Sequence, residues 1–204
     1  METVLNLGNY PLPMEYYFTK RMIVAGYHNG FANTGKHQLF SVYTMEEQLV
    51  GEVYYHPSQG FFYIGEMRMN IKRAGESFFQ RMCIVDAYTD KIMGEFRHDG
   101  WRALENGSSI LLNDQRYTFR KIKLKSSLFD RDTWGYYKYQ IRKDRVEFTY
   151  SFHIGERTSW KEPITDRAFE GVVETTGVLE GDDLIALFAG FYSLGNAMED
   201  GFSS

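Results

Sequence analysis

Ten lysines and arginines fall between Asp114 and Arg145 against four acidic residues, a local charge of +6 in a chain whose total is −4. Lys121, Lys123 and Lys125 alternate with Ile122 and Leu124, and Lys138, Arg142 and Lys143 follow in the next stretch. Successive side chains of a strand point to opposite faces, so the three lysines share one face. If the two stretches are neighbours in a sheet, their outer faces merge into one cationic patch. With Tyr136, Tyr137 and Tyr139 nearby, such a patch can hold phosphorylated head groups or single-stranded nucleic acid by charge and stacking. The acidic total disfavours nucleic acid, and lysines on outer strands also keep a sheet soluble. The candidate ligand-binding residues are therefore Lys121, Lys123, Lys125, Lys138, Arg142 and Lys143. The expected partners are anionic lipid head groups or another protein.

Other chemistry-bearing patterns are weaker. Gly30-Phe-Ala-Asn-Thr-Gly-Lys36 matches the first seven positions of a phosphate-cradling loop, but His37 stands where Ser or Thr should bind Mg²⁺. That loop should lead into a helix, whereas Leu39-Phe-Ser-Val-Tyr-Thr reads as a strand. Cys83 and the five histidines lack metal-ligand spacing, and a lone strand cysteine reads as a small buried hydrophobe. Asp182 and Asp183 read as helix-capping residues rather than as an acid–base pair. No catalytic residue, metal or cofactor is assigned.

The elements that would carry these groups are mostly strands. Aromatics make up 17% of the chain, and aromatic side chains fit a pleated surface. Alternation and turn residues predict strands at Glu15–Met22, Leu39–Tyr43, Leu49–Tyr55, Phe61–Met67, Met82–Tyr88, Ile92–Arg97, Ser109–Leu112, Arg116–Lys125, Trp134–Arg142, Val146–Ile154 and Gly171–Thr175. This regular spacing is that of a β-barrel or sandwich. Leu184–Met198 differs: it is apolar on nearly every side, so a helix there must be buried. At about 1.5 Å per residue it falls short of a ~30 Å bilayer core, and its flanks are acidic. It is expected to fill a sheet rather than to anchor in a membrane.

The single cysteine suits a reducing compartment, and the N-terminal residues lack the basic and apolar regions of a signal peptide. A cytoplasmic, membrane-peripheral location is expected. Residues 1–12 read as a loose N-terminus, and 13–201 as one domain with its helix at about 183–198.

Phe40-Ser-Val-Tyr-Thr leading to Leu49-Val-Gly-Glu is echoed by Val85-Asp-Ala-Tyr-Thr leading to Ile92-Met-Gly-Glu, with Gly65-Glu66 a third echo. Repeated hairpins of one sheet explain this. Together with Ile110–Leu112, Tyr117–Ile122 and the terminal Asp-Asp-Leu-Ile-Ala-Leu-Phe-Ala-Gly-Phe, the pattern resembles the tubby-like superfamily, which includes tubby C-terminal domains, phospholipid scramblases and LURP-one-related proteins. The resemblance implies a mainly β fold, a closed antiparallel barrel of about twelve strands around a buried hydrophobic C-terminal helix. It also implies phospholipid binding in some members, although no ligand motif matches residue by residue. The functional expectation is a non-enzymatic binding or adaptor module. The alternatives are an open barrel carrying a small apolar ligand, or a nucleotide-binding enzyme using the Gly30–Lys36 loop.

Overall fold

The computed structural model describes residues 15–23, 37–74, 81–97, 108–122, 136–153, 168–176, 179 and 181–199. These form twelve strands and one helix: β1 (Glu15–Ile23), β2 (His37–Tyr43), β3 (Leu49–His56), β4 (Gln59–Ile64), β5 (Met67–Ala74), β6 (Arg81–Asp86), β7 (Ile92–Arg97), β8 (Ser109–Leu112), β9 (Gln115–Ile122), β10 (Tyr136–Lys143), β11 (Val146–His153), β12 (Phe169–Thr176) and α1 (Gly181–Glu199). Each strand pairs antiparallel with the next, and β1 closes on β12 with Phe18 opposite Gly171. The described residues form a closed twelve-stranded barrel around a buried C-terminal helix, the fold class that the resemblance implies.

Alternation along the strands separates wall from lumen. In β11, Phe148, Tyr150 and Phe152 are buried between partly exposed Glu147, Thr149 and Ser151. In α1 every residue from Asp183 to Gly195 is buried. Phe191 packs against Phe18 of β1, Phe40 of β2 and Tyr150 of β11, with ring centroids 4.9, 5.5 and 5.0 Å away. Phe188 meets Phe62 of β4, and Tyr192 meets Tyr55 of β3 and Phe96 of β7. A helix touched on so many sides needs no polar stripe, which is why its sequence is apolar all round.

Room for the helix comes from missing side chains. A Cβ on Gly51 would fall against the Tyr63 carbonyl and within 2.7 Å of the Phe188 ring. A Cβ on Gly195 would meet the Tyr55 ring at 2.6 Å. The Gly-Glu repeat now has a cause at two of its three sites: Gly51 and Gly94 face inward while Glu52 and Glu95 face out. The third is different. Gly65 has φ +55° and forms the β4–β5 turn. That turn splits the expected Phe61–Met67 strand in two, and β5 has no counterpart among the predicted strands.

The two ends of the barrel differ. Where α1 begins, β2–β3, β4–β5, β6–β7, β8–β9 and β10–β11 are joined by short turns. Glu47, Asp90, Asn113, Asp114 and Asp144 there adopt positive φ, a conformation that Asn and Asp tolerate best among non-glycine residues. At the opposite end only the turn between His56 and Gln59 is described. The expected loose N-terminus and the Gly30–Lys36 loop lie outside the described residues. Lys36 is nevertheless followed by strand β2, where a nucleotide loop would open a helix.

Candidate functional site

The pairing of β9 with β10 brings the two basic stretches together. Arg120 stands opposite Gln140, so Lys138 and Arg142 are its two diagonal neighbours, within about 7–8 Å by backbone geometry. Tyr117 and Phe119 are buried, and Arg116, Thr118 and Arg120 alternate outward between them. On β10, Tyr139 and Ile141 point inward, leaving Lys138 half-buried and Arg142 exposed on the outer wall. Arg142 Nε donates to the Asp144 carbonyl at 3.3 Å, and Thr118 Oγ1 donates to the Arg142 carbonyl. Glu147 faces Arg142 from β11 and moderates the charge there. The outer wall of β9–β10 therefore carries Arg120, Lys138 and Arg142 as a compact cationic group.

Not every expected member joins that group. Lys121 lies in β9 opposite Tyr139, and Lys123 and Lys125 fall outside the described residues. Ile122, expected on the apolar face, shares the outward parity of Arg120 and is half-buried. Lys143 turns the other way, into the barrel mouth. Its ammonium sits 2.7 Å from Asp183 Oδ1, donates to Gln115 Oε1 at 2.8 Å and lies 5.0 Å from the centre of the Tyr117 ring. One residue of shift in a strand reverses the face, and Lys143 follows outward Arg142.

The acidic pair lies in the first turn of α1 and also reaches the barrel rim. Asp183 is 1% exposed and accepts the Tyr117 hydroxyl at 2.7 Å as well as the Lys143 ammonium. Asp182 accepts the Asn113 amide on both oxygens, at 3.1 and 2.9 Å. Both carboxylates thus tie α1 to the β8–β9 and β10 rim. Their place in the first helical turn also suits the positive end of the helix dipole. Cys83 is buried on the outer wall, where burial and Glu95 push its thiol up, away from nucleophilic use. Among the described residues, no three His, Cys, Asp or Glu side chains gather as a metal site.

A feature that charge counting misses lies on the far wall, across β3, β4 and β5. Tyr54, Phe61, Tyr63, Gly65, Glu66, Arg68 and Tyr88 line a groove of about 480 Å³. Beside it, Glu52 accepts hydrogen bonds from Ser41 Oγ at 2.7 Å and from the Tyr63 and Tyr54 hydroxyls. Burial first, then Glu52, raises the Tyr63 hydroxyl above its ordinary pKa and keeps it protonated. The sequence signal was the aromatic density of residues 54–63, which alone does not separate an outer groove from a core.

Fold and surface define a class: a helix-filled antiparallel barrel whose candidate ligand-binding groups, Arg120, Lys138 and Arg142, sit on its outer wall. No family model, curated protein or solved structure matches the chain.

Proposed function

We propose that this chain is a non-enzymatic binding module that takes anionic lipid head groups on the outer wall of β9–β10. The observation that carries the reading is the register of those strands, which sets Arg120 diagonal to both Lys138 and Arg142. Juxtaposed surface cations each contribute about 1 kcal/mol at an anionic membrane. The filled lumen supports an outer-wall site, because Phe188, Phe191 and Tyr192 occupy the space a carried apolar ligand would need. An open carrier would have its helix outside the barrel. No helix among the described residues is long and apolar enough to cross a membrane, which suits peripheral contact at the cytoplasmic face. The resemblance to tubby-like proteins points the same way, since some of them bind phosphoinositides.

Co-sedimentation with vesicles tests the reading. Vesicles containing phosphatidylserine and phosphoinositides should retain the protein better than phosphatidylcholine vesicles, with binding that fades in salt. Arg120→Glu/Lys138→Glu/Arg142→Glu should lower the affinity by roughly a hundredfold, from about 1 kcal/mol per cation. Lys121→Glu/Lys123→Glu/Lys125→Glu tests whether the face extends along the chain. Equal binding to both vesicle types, or an unchanged first variant, overturns the proposal.

A further inference from the structure

The groove on the opposite wall is built from three strands and two turns. On the outer face, Tyr54 of β3 stands opposite Phe61 of β4, and Tyr63 of β4 stands opposite Arg68 of β5. Tyr54 and Phe61 stack at 4.2 Å with 19° between their planes. The Arg68 guanidinium lies 5.0 Å from the centre of the Phe61 ring. Stacking on an aromatic ring fixes the plane of a guanidinium while leaving its edge N–H groups free to donate.

The fourth wall is Tyr88 in the β6–β7 turn. Asp86 Oδ1 accepts the backbone N–H groups of Tyr88 and Thr89 at 2.9 and 2.8 Å, and the Thr89 hydroxyl at 3.0 Å. These donors, Thr89 first, hold the Asp86 carboxyl below its ordinary pKa. The Ala87 N–H donates to the Arg68 carbonyl at 3.0 Å, which joins the turn to β5. The Tyr88 hydroxyl then donates to the Glu66 carbonyl at 3.3 Å, across the groove mouth. Although so placed, Tyr88 is 76% exposed, so its ring is a wall with one open side.

Polar capacity within the groove is one-sided. The Tyr54 and Tyr63 hydroxyls are committed to Glu52. Arg68 lines the groove and is half-buried, while its Nε is closed off from solvent and has no partner among the described residues, which is costly for a donor. A side-chain shift that opens the Nε–Nη edge lets the guanidinium take a carboxylate with two parallel hydrogen bonds and relieves that cost. The charge balance favours a ligand of low charge. Glu66 lines the groove and Glu52 lies beside it, against Arg68 in the groove and Arg21 near Tyr54, so a polyphosphate would find no net cationic field. The rings of Tyr54, Phe61, Tyr63 and Tyr88 suit a flat apolar body, and 480 Å³ lies in the range of small-molecule sites.

From this geometry we infer that the β3–β5 groove is a binding site for a small planar monocarboxylate, held edge-on by Arg68 and stacked among the aromatic rings. The site is separate from the cationic wall of β9–β10 and does not depend on it.

Isothermal titration of the full chain with 2-naphthoate and with its neutral isostere 2-naphthamide tests the inference. Naphthoate should bind one to one, and naphthamide about tenfold or more weakly, as expected for loss of a charge-assisted pair. Arg68→Gln should bring naphthoate down to the level of naphthamide. Tyr88→Ala, at an exposed position, should weaken both ligands and keeps the test open if Arg68→Gln does not fold by circular dichroism. Arg120→Glu/Lys138→Glu/Arg142→Glu should leave naphthoate binding unchanged, which separates this site from the lipid reading. Equal affinity for acid and amide, no naphthoate binding, or unchanged binding in a folded Arg68→Gln or Tyr88→Ala protein overturns it.

Discussion

Removing the Lys143 ammonium, as in Lys143→Met, leaves the Asp183 carboxylate buried with the Tyr117 hydroxyl and the helix start as its compensation. Asp183 is 1% exposed and Lys143 13%, so solvent screens the pair little. Breaking a buried ion pair from one side costs about 3–5 kcal/mol. The retained Tyr117 hydrogen bond and the helix dipole offset about 1 kcal/mol of that. We expect Lys143→Met to lose about 2–4 kcal/mol, or roughly 6–12 °C in Tm at a 3 kcal/mol loss for a chain of this size. Asp183→Leu should cost a similar amount. The double variant Lys143→Met/Asp183→Leu should recover part of the loss, because no buried charge remains and an apolar pair can replace it. Urea unfolding followed by circular dichroism gives the cycle, with an expected coupling of about 2–3 kcal/mol. The coupling should persist in about 1 M salt, where exposed pairs are screened. A coupling below about 0.5 kcal/mol, or one abolished by salt, would refute a latch buried at the barrel mouth.

The lumen offers further tests. Phe191→Ala removes a fully buried ring that touches three strands and should cost about 3–5 kcal/mol in urea unfolding; a cost under about 1 kcal/mol would place the helix outside. Gly195→Ala raises helix propensity by about 1 kcal/mol. It also drives a methyl into the buried Tyr55 ring, at about 1–3 kcal/mol or more, so net destabilisation is expected and a higher Tm would contradict the packing. At the other end, His37 stacks on His56 at 4.7 Å, and burial first, then His56, lowers its pKa. The unfolded chain therefore takes up this proton more readily. The contribution of His37 to stability is complete above its unfolded pKa of about 6.5 and is lost as pH falls. His37→Gln should flatten the decline in urea midpoint between about pH 7 and 5, and an unchanged slope would rule His37 out as its source.

The elements most legible in the sequence were those whose pattern has a single physical reading. Leu184–Met198 is too apolar for a surface helix and too short for a bilayer, and α1 spans Gly181–Glu199. Strands such as Ile92–Arg97 and Ser109–Leu112 emerge with the expected bounds. What escaped depended on partners distant in sequence. Lys143 looks like one more surface cation until Asp183, from the far end of the chain, is set beside it. β5 was hidden because its inward Met69 and Ile71 alternate with charged and amide residues weak in strand propensity. The groove at Arg68 is written in no motif, since it needs Tyr54, Phe61 and Tyr88 brought together from three elements.

The β1–β12 seam also bears on how the chain is made. A ribosome delivers β1 early, yet its closing partner arrives only after most of the polypeptide, and the helix that fills the lumen comes later still. Until then the inward rings of Phe18, Phe40 and Phe62 have no cover, and β1 presents an unpaired edge, a state prone to association with other nascent chains. Pairing of sequence-adjacent strands from β1 to β12 is available early, whereas closure of β1 on β12 and filling by α1 are long-range and come late. A translation product that stops before α1 would be all wall and no centre, and proteases should clear it quickly.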